Sequence, residues 1–148
     1  MVYSNAYKTN YHMKRIVISK LDYARILKCI QDGKDQKTIN STEAENLLNE
    51  LHSAKVVEPF EIPVDIVTMN SIVKIRFLKT NKELKFQIVY PDQANIKENK
   101  ISIFSPVATA LIGYKVSDEI DWVVPSGMTR IRIEEIVYQP EAEGNYDL

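Results

Sequence analysis

The sequence predicts an α+β fold, with a short antiparallel helical hairpin followed by a twisted antiparallel sheet that one short helix crosses. Apolar residues recur at helical spacing between Ser19 and Ala54. Beyond residue 58, apolar and polar residues alternate with the period of two that is typical of half-buried strands. The short helix is marked at both of its ends, by Ser105 and by Gly113.

The N-terminal part divides into a flexible tail over residues 1–14 and the helical hairpin over residues 15–57. Ser19 is a suitable N-cap for the first helix, and a polar turn at Gln31–Lys37 ends it. A capping box at Thr42–Glu45 opens the second helix. The apolar faces of the two helices consist of Tyr23, Ile26, Leu27 and Ile30, and of Leu47, Leu48, Leu51 and Ala54. Helices of about 12 residues give a hairpin roughly 18 Å long.

Residues 58–148 form the predicted sheet domain, which follows a linker with two prolines at Glu58–Pro63. Alternating residues predict a β-hairpin from Val73 to Tyr90 and a strand at Glu119–Val124. A turn at Pro125–Gly127 leads into a long strand that ends at Gln139. The apolar phase of this last strand shifts at Glu134–Glu135, which predicts a β-bulge there.

A strand at Ile101–Phe104 runs into the short helix through a sharp corner. Pro106 occupies the first helical position, where its missing N–H removes no hydrogen bond. Seven residues are too few for a stable isolated helix, so this helix must pack against the rest of the domain. If Ile101 and Ile103 face the core, strand alternation places Phe104 outside. The alternative is that Phe104 faces the core and the corner only starts a helix.

Composition excludes several classes of site. The 148 residues include one cysteine, Cys29, and two histidines, which leaves no zinc-type ligand set. A net charge of −1 argues against a protein whose main partner is a nucleic-acid backbone, and no sequence-specific nucleic-acid binding is expected. No apolar run is long enough to span a membrane. We therefore expect a cytoplasmic protein without enzymatic activity, metal or cofactor.

The segment ISIFSPVATALIGYKVSDEIDWVVPSGMTRIRIEEIVY, residues 101–138, resembles the C-terminal domain of the GreA/GreB transcript-cleavage factors. The matching positions are Ser105, Pro106, Ala110, Leu111, Gly113, Asp118, Pro125, Gly127 and Ile136. Ser117 stands where the family usually has glycine. Residues 63–71 and 138–146 resemble even more closely the Rnk branch of this family, the regulators of nucleoside diphosphate kinase.

This resemblance implies an FKBP-like domain that docks on RNA polymerase at the rim of its secondary channel. The partner surface would be a coiled coil of the polymerase's largest subunit. By the same resemblance, the gripping surface consists of Phe104, Ser105 and Pro106, with Val107 and Ala108 adjacent. The expected function is regulation of transcription elongation.

The Gre factors carry an acidic pair at the end of a long coiled coil, which helps to hold a catalytic magnesium in the polymerase. Here Asp32 and Asp35 are the only candidate acids in the predicted turn, and they do not form the Asp-x-x-Glu-Asn motif. Because a carboxylate must lie about 2.0–2.1 Å from magnesium, a hairpin that stops short contributes nothing to cleavage. Two alternatives remain: transcript cleavage through Asp32 and Asp35, and direct regulation of nucleoside diphosphate kinase.

Overall fold

The computed structural model describes residues 15–124 and 127–148. The predicted tail, residues 1–14, and part of the predicted turn at Pro125–Gly127 lie outside these ranges. The helices are α1 (Lys20–Asp35), α2 (Ser41–His52) and α3 (Pro106–Leu111). The strands are β1 (Val17–Ser19), β2 (Lys55–Val57), β3 (Ile72–Phe77), β4 (Lys82–Val89), β5 (Lys100–Ser102), β6 (Glu119–Val124) and β7 (Gly127–Tyr138). The α+β class predicted from the sequence is confirmed.

Helix α1 begins where the sequence predicts, because the Ser19 hydroxyl accepts a hydrogen bond from the Asp22 backbone N–H. Its buried face includes Ile26 and Ile30. The helix continues through the segment predicted to be a turn and ends only at Asp35. The predicted turn at Gln31–Lys37 is therefore wrong for its first five residues. Glycine weakens a helix by about 1 kcal/mol, a cost that tertiary packing around Gly33 overrides.

Helix α2 begins two residues earlier than the predicted capping box at Thr42–Glu45. The actual box joins Asn40 and Glu43, with the Asn40 side chain accepting from the Glu43 N–H at 2.7 Å. The Glu43 carboxylate accepts in turn from the Asn40 N–H. Asparagine is a better N-cap than threonine, so the earlier of the two competing boxes prevailed.

A two-stranded parallel sheet closes the base of the helical region, and the sequence did not predict it. Strand β1 leads into α1, and β2 follows α2, with Val17 opposite Lys55 and Ser19 opposite Val57. Three-residue strands carry too little periodicity to be recognised in a sequence. Their pairing fixes the start of α1 beside the end of α2.

The main sheet has five strands in the order β5-β4-β3-β7-β6. Its pairs are antiparallel except β4–β5, which is parallel, so the prediction of an all-antiparallel sheet is wrong at this edge. The predicted bulge is confirmed, because Ile75 pairs with Ile133 and Lys74 with Glu135, which leaves Glu134 as the extra residue. A second shift near Ile72 was not predicted.

The helical region and the sheet domain share one hydrophobic core. Buried side chains of the helices, such as Ile30 and Leu47, belong to the same cluster as Ile75 and Ile133 of the sheet and Leu111 of α3. The division into segments 15–57 and 58–148 stays a prediction. The shared core shows that α1 and α2 both lie against the sheet domain, and α2 also contacts α3.

Candidate functional site

The corner between β5 and α3 is held by backbone and side-chain hydrogen bonds. The Ser105 N–H donates to the Ser102 carbonyl at 2.9 Å, and the Phe104 N–H donates to the Ser102 hydroxyl at 3.0 Å. The buried Thr109 hydroxyl donates to the Ile103 carbonyl at 2.8 Å. With these bonds and a proline at the first helical position, the corner is a rigid element of the surface.

The five residues predicted to grip a partner differ in their exposure. Pro106 is exposed, while Phe104, Ser105 and Val107 are half-buried. Ala108 is completely buried and belongs to the core. Ala108, predicted to lie adjacent to the gripping surface, therefore supports the corner from within, and the part of all five residues in binding a partner stays a prediction. Helical geometry explains this, since the third residue of α3 lies on the face of the helix that is turned toward the hydrophobic core.

Phe104 was predicted to lie either outside the fold or facing the core, and its actual position is between the two. Its ring lies half-buried against the hydrophobic core, in contact range of α1 at Gly33. A Cβ built on Gly33 would lie 3.4 Å from a ring carbon of Phe104 and 2.8 Å from Ile39. The missing side chain of Gly33 therefore lets the helix pass close to the corner.

A groove of about 480 Å³ follows α1 from Arg25 to Gln36 and ends at Phe104. We call it the α1 groove. Its second wall is the segment after β4, which includes Tyr90 and Asp92. No pattern in the sequence predicts this groove, because its walls come from segments about 60 residues apart.

Cys29 lines the α1 groove and is half-buried. Burial raises the pKa of the Cys29 thiol, and the carboxylates of Asp92 and Asp32 raise it further. Lys28 acts in the opposite direction. The thiol therefore stays protonated at neutral pH. Asp32 lies on the same helix as Cys29, and Asp92 lies on the opposite wall of the groove.

Asp32 and Asp35, predicted to lie in a turn, occupy the last turn of α1 instead. Asp32 accepts a hydrogen bond from the Lys28 ammonium at 2.9 Å, and Asp35 accepts one from the Gln31 amide at 3.2 Å. Asp32 also lines the α1 groove, whereas Asp35 is exposed away from it. The structure thus gives each carboxylate a partner one turn earlier on its own helix.

Residues 15–124 and 127–148 contain neither a metal-ligand cluster nor a membrane-spanning helix. In this part of the chain, no three His, Cys, Asp or Glu side chains are grouped so that they could hold a metal ion. No helix in the same ranges is both long and apolar enough to cross a bilayer.

Replacing Ser105 with alanine is expected to lower the free energy of unfolding by about 1 kcal/mol, because α3 loses its N-cap. The Ser105 hydroxyl accepts from the Ala108 N–H at 3.4 Å, and that buried N–H would have no replacement partner. Urea denaturation measures the change. Ser105→Asp should restore stability, since aspartate caps as well as serine; equal stability of all three proteins would contradict this role.

The corner and most of the sheet lie within residues 62–138, which match the family "Transcription elongation factor, GreA/GreB, C-term". The chain belongs to the GreA/GreB family. Its relatives include the "Regulator of nucleoside diphosphate kinase" of Escherichia coli K12, which is 40% identical over 104 residues, covering 70% of this chain and 76% of the relative. The "Transcription elongation factor GreA" of Clostridium novyi is 39% identical over 105 residues, or 71% of this chain and 66% of that protein.

A solved GreA/GreB structure shares the fold. The "Prokaryotic transcription elongation factor GreA/GreB from Nitrosomonas europaea" aligns with a TM-score of 0.68 and 38% identity, over 84% of this chain and 99% of that one. The family match includes Phe104, Ser105 and Pro106 but not α1. The segment that matches the family model, residues 62–138, therefore does not include Asp32, Asp35 or the α1 wall of the groove.

Proposed function

We propose that this protein binds RNA polymerase near its secondary channel and regulates transcription elongation without catalysing transcript cleavage. The docking surface is the corner at Phe104, Ser105 and Pro106, with Val107 beside it. The partner is a coiled coil of the polymerase's largest subunit, as the family resemblance implies. Membership in the GreA/GreB family carries this proposal.

The physical properties of the corner support its role as a docking surface. Its backbone is fixed before binding by the Ser102 and Thr109 hydrogen bonds, so little conformational entropy is lost when a partner binds. Pro106 is exposed, and the ring edge of the half-buried Phe104 adds an aromatic group of the kind enriched at interfaces.

The packing of α1 supports our proposal that this protein takes no part in transcript cleavage. Gly33, near the end of this helix, lies against Phe104, so the end of the helical region is beside the docking corner. A carboxylate there would stay at the surface that grips the polymerase, far from a metal deep in the channel. Asp32 and Asp35 are also engaged by Lys28 and Gln31 on their own helix.

Pro106→Ala is expected to weaken binding to core polymerase by about three- to tenfold, as loss of a moderate interface contact would. The fold should persist, because alanine is compatible with the first position of a helix. Phe104→Ala is expected to weaken binding to core polymerase by about tenfold or more. Pull-down and titration against purified core polymerase measure both effects, and circular dichroism confirms that each variant is folded.

Pro59→Ala is the matched control. Pro59 also begins a short helical turn, at Pro59–Glu61, but it does not belong to the corner. This variant should bind like the parent. Failure of the parent protein to bind core polymerase at all would refute the proposed function.

A second candidate function is regulation of nucleoside diphosphate kinase, which the name of the 40% identical Escherichia coli relative favours. Binding of this protein to the purified kinase in the absence of polymerase would support it. Cleavage of RNA in backtracked complexes, abolished by Asp32→Ala, would support the other alternative. Under our proposal neither effect is observed.

A further inference from the structure

The α1 groove has the length of a helical docking site and begins at the proposed docking corner. It follows α1 from Arg25 to Gln36, which at 1.5 Å per residue is about 16 Å, or three helical turns. Phe104 belongs to both the corner and the groove. A partner segment that covers the corner can therefore extend directly into the groove.

The floor of the groove is apolar where Cys29, Gly33 and the Phe104 ring meet. The groove's volume of about 480 Å³ exceeds what one large side chain fills. An apolar side chain inserted between α1 and Phe104 would bury surface that water now covers, which is favourable by about 25 cal/mol per Å². The floor thus suits one apolar anchor from a partner.

The two walls carry acidic groups near this floor. Asp32 projects from α1 and Asp92 from the segment after β4, and both raise the pKa of Cys29 between them. Lys28 partly neutralises Asp32 at 2.9 Å. Within residues 15–124 and 127–148, by contrast, Asp92 forms no ion pair. Arg25 and Lys28 also line the α1 wall, so the acidic group available to a basic side chain of a partner is Asp92 on the second wall.

We propose that the α1 groove is the second half of the polymerase-docking surface and receives a helix with an apolar side chain and a Lys or Arg about one turn apart. The apolar side chain contacts Cys29 and Phe104, and the basic side chain reaches Asp92. This inference rests on the proposed function, because the helix belongs to the polymerase segment that grips the corner.

Cys29 provides a direct probe, since it is the only cysteine among the 148 residues. N-ethylmaleimide is added to the full-length protein at about pH 8.5, where more thiolate is present, with and without saturating core polymerase. The intact mass of this chain follows the reaction. Bound polymerase is expected to slow alkylation of Cys29 by about tenfold or more, because a docked helix excludes the reagent.

The control protein carries Cys29→Ala with His52→Cys. Residue 52 is exposed and ends α2 at the far end from the groove. The alkylation rate of this control protein should not change when polymerase is added.

If the parent protein binds polymerase while Cys29 reacts at its free rate, the groove proposal is refuted and the proposed docking corner is unaffected. If the parent does not bind at all, the proposed function itself fails. Equal protection at high concentration of this chain alone would assign the groove to a second copy and refute the proposal.

The charge complementarity has a separate test in a matched pair of variants. Asp92→Asn should weaken polymerase binding by about three- to tenfold, as loss of an interfacial ion pair would. Asp35→Asn makes the same change of charge on the exposed side of α1 and should leave affinity unchanged. Equal effects of the two variants would refute the specific role of Asp92.

Discussion

Gly113→Ala is expected to lower the free energy of unfolding by about 3 kcal/mol or more, from backbone strain and overpacking together. Gly113 ends α3 with a φ of +82°, a conformation that costs an L-residue about 1–2 kcal/mol. An alanine Cβ would also lie 2.6 Å from the Cβ of Ile16, which is buried next to β1 and has no room to move away. Urea denaturation followed by circular dichroism measures the loss.

The backbone of Gly113 makes this position more sensitive still. Its N–H donates to the Val67 carbonyl at 2.8 Å, and its carbonyl accepts from the Val17 N–H at 3.1 Å. A shift that relieved the clash would therefore disturb two segments. Gly144→Ala is the matched control, because Gly144 has a φ of +81° but no atom within 4 Å of an added Cβ. Equal losses in the two variants would show that Ile16 does not resist the new methyl group.

Asp22→Asn is expected to make the protein more stable at pH 8, by about 2 kcal/mol or more. The Asp22 carboxylate is 3% exposed; it accepts from the Met69 N–H at 3.2 Å and from the Tyr90 hydroxyl at 3.3 Å. Burial, followed by repulsion from Glu141, raises the pKa of Asp22 from 3.8 to about 7, against the opposing effects of these bonds and of Arg25. Asparagine keeps the shape and removes the buried charge.

The sign of the pH dependence follows from the direction of this shift. The folded state binds the Asp22 proton more tightly than the unfolded state does, so this group stabilises the fold at low pH. Its contribution is lost as pH rises from 3.8 to about 7. The stability advantage of Asp22→Asn should therefore widen by at most about 1.4 kcal/mol per pH unit up to pH 7 and then level off.

Thermal and urea denaturation between pH 5 and pH 8 test this dependence. Glu141 responds in the same direction, because burial also raises its pKa. Glu134 provides a control of opposite sign, since hydrogen bonds from Arg132 and Arg76 lower its pKa. Glu134→Gln should be less stable than the parent by a constant margin between pH 5 and pH 8, because the contribution of Glu134 is lost only as the pH falls below its ordinary pKa of 4.5. A gap between Asp22→Asn and the parent that is constant with pH would contradict the buried charge.

The local signals in the sequence predicted most of the elements correctly. Caps at Ser19 and Ser105 start their helices because a cap bond joins residues three apart and needs no distant partner. The β3–β4 hairpin and the bulge at Glu134 are also encoded by nearby residues, through side-chain alternation and its interruption. Where two local signals competed, as between Asn40 and Thr42, the stronger N-cap set the boundary.

Some features of the candidate site were likewise predicted from the sequence, and others were not. The rigid corner was predicted, since Ser105, Pro106 and Gly113 mark the ends of α3 within nine residues. Burial of Ala108 and the half-buried position of Phe104 were not, because both depend on which face the sheet and α1 cover. Asp92 and Cys29 gave no usable signal, since a groove between distant segments has no sequence period.

By itself, the sequence determined the α+β class, the capped corner and the membership in the GreA/GreB family, all of which depend on short-range order along the chain. Only the tertiary structure decided that α1 lies against the corner at Gly33, that β4 and β5 run parallel, and that Asp22 is buried beside Tyr90. These features arise where segments far apart in the chain exclude water together. Burial and the electric field of a neighbouring segment are properties of that contact and are not encoded in either segment alone.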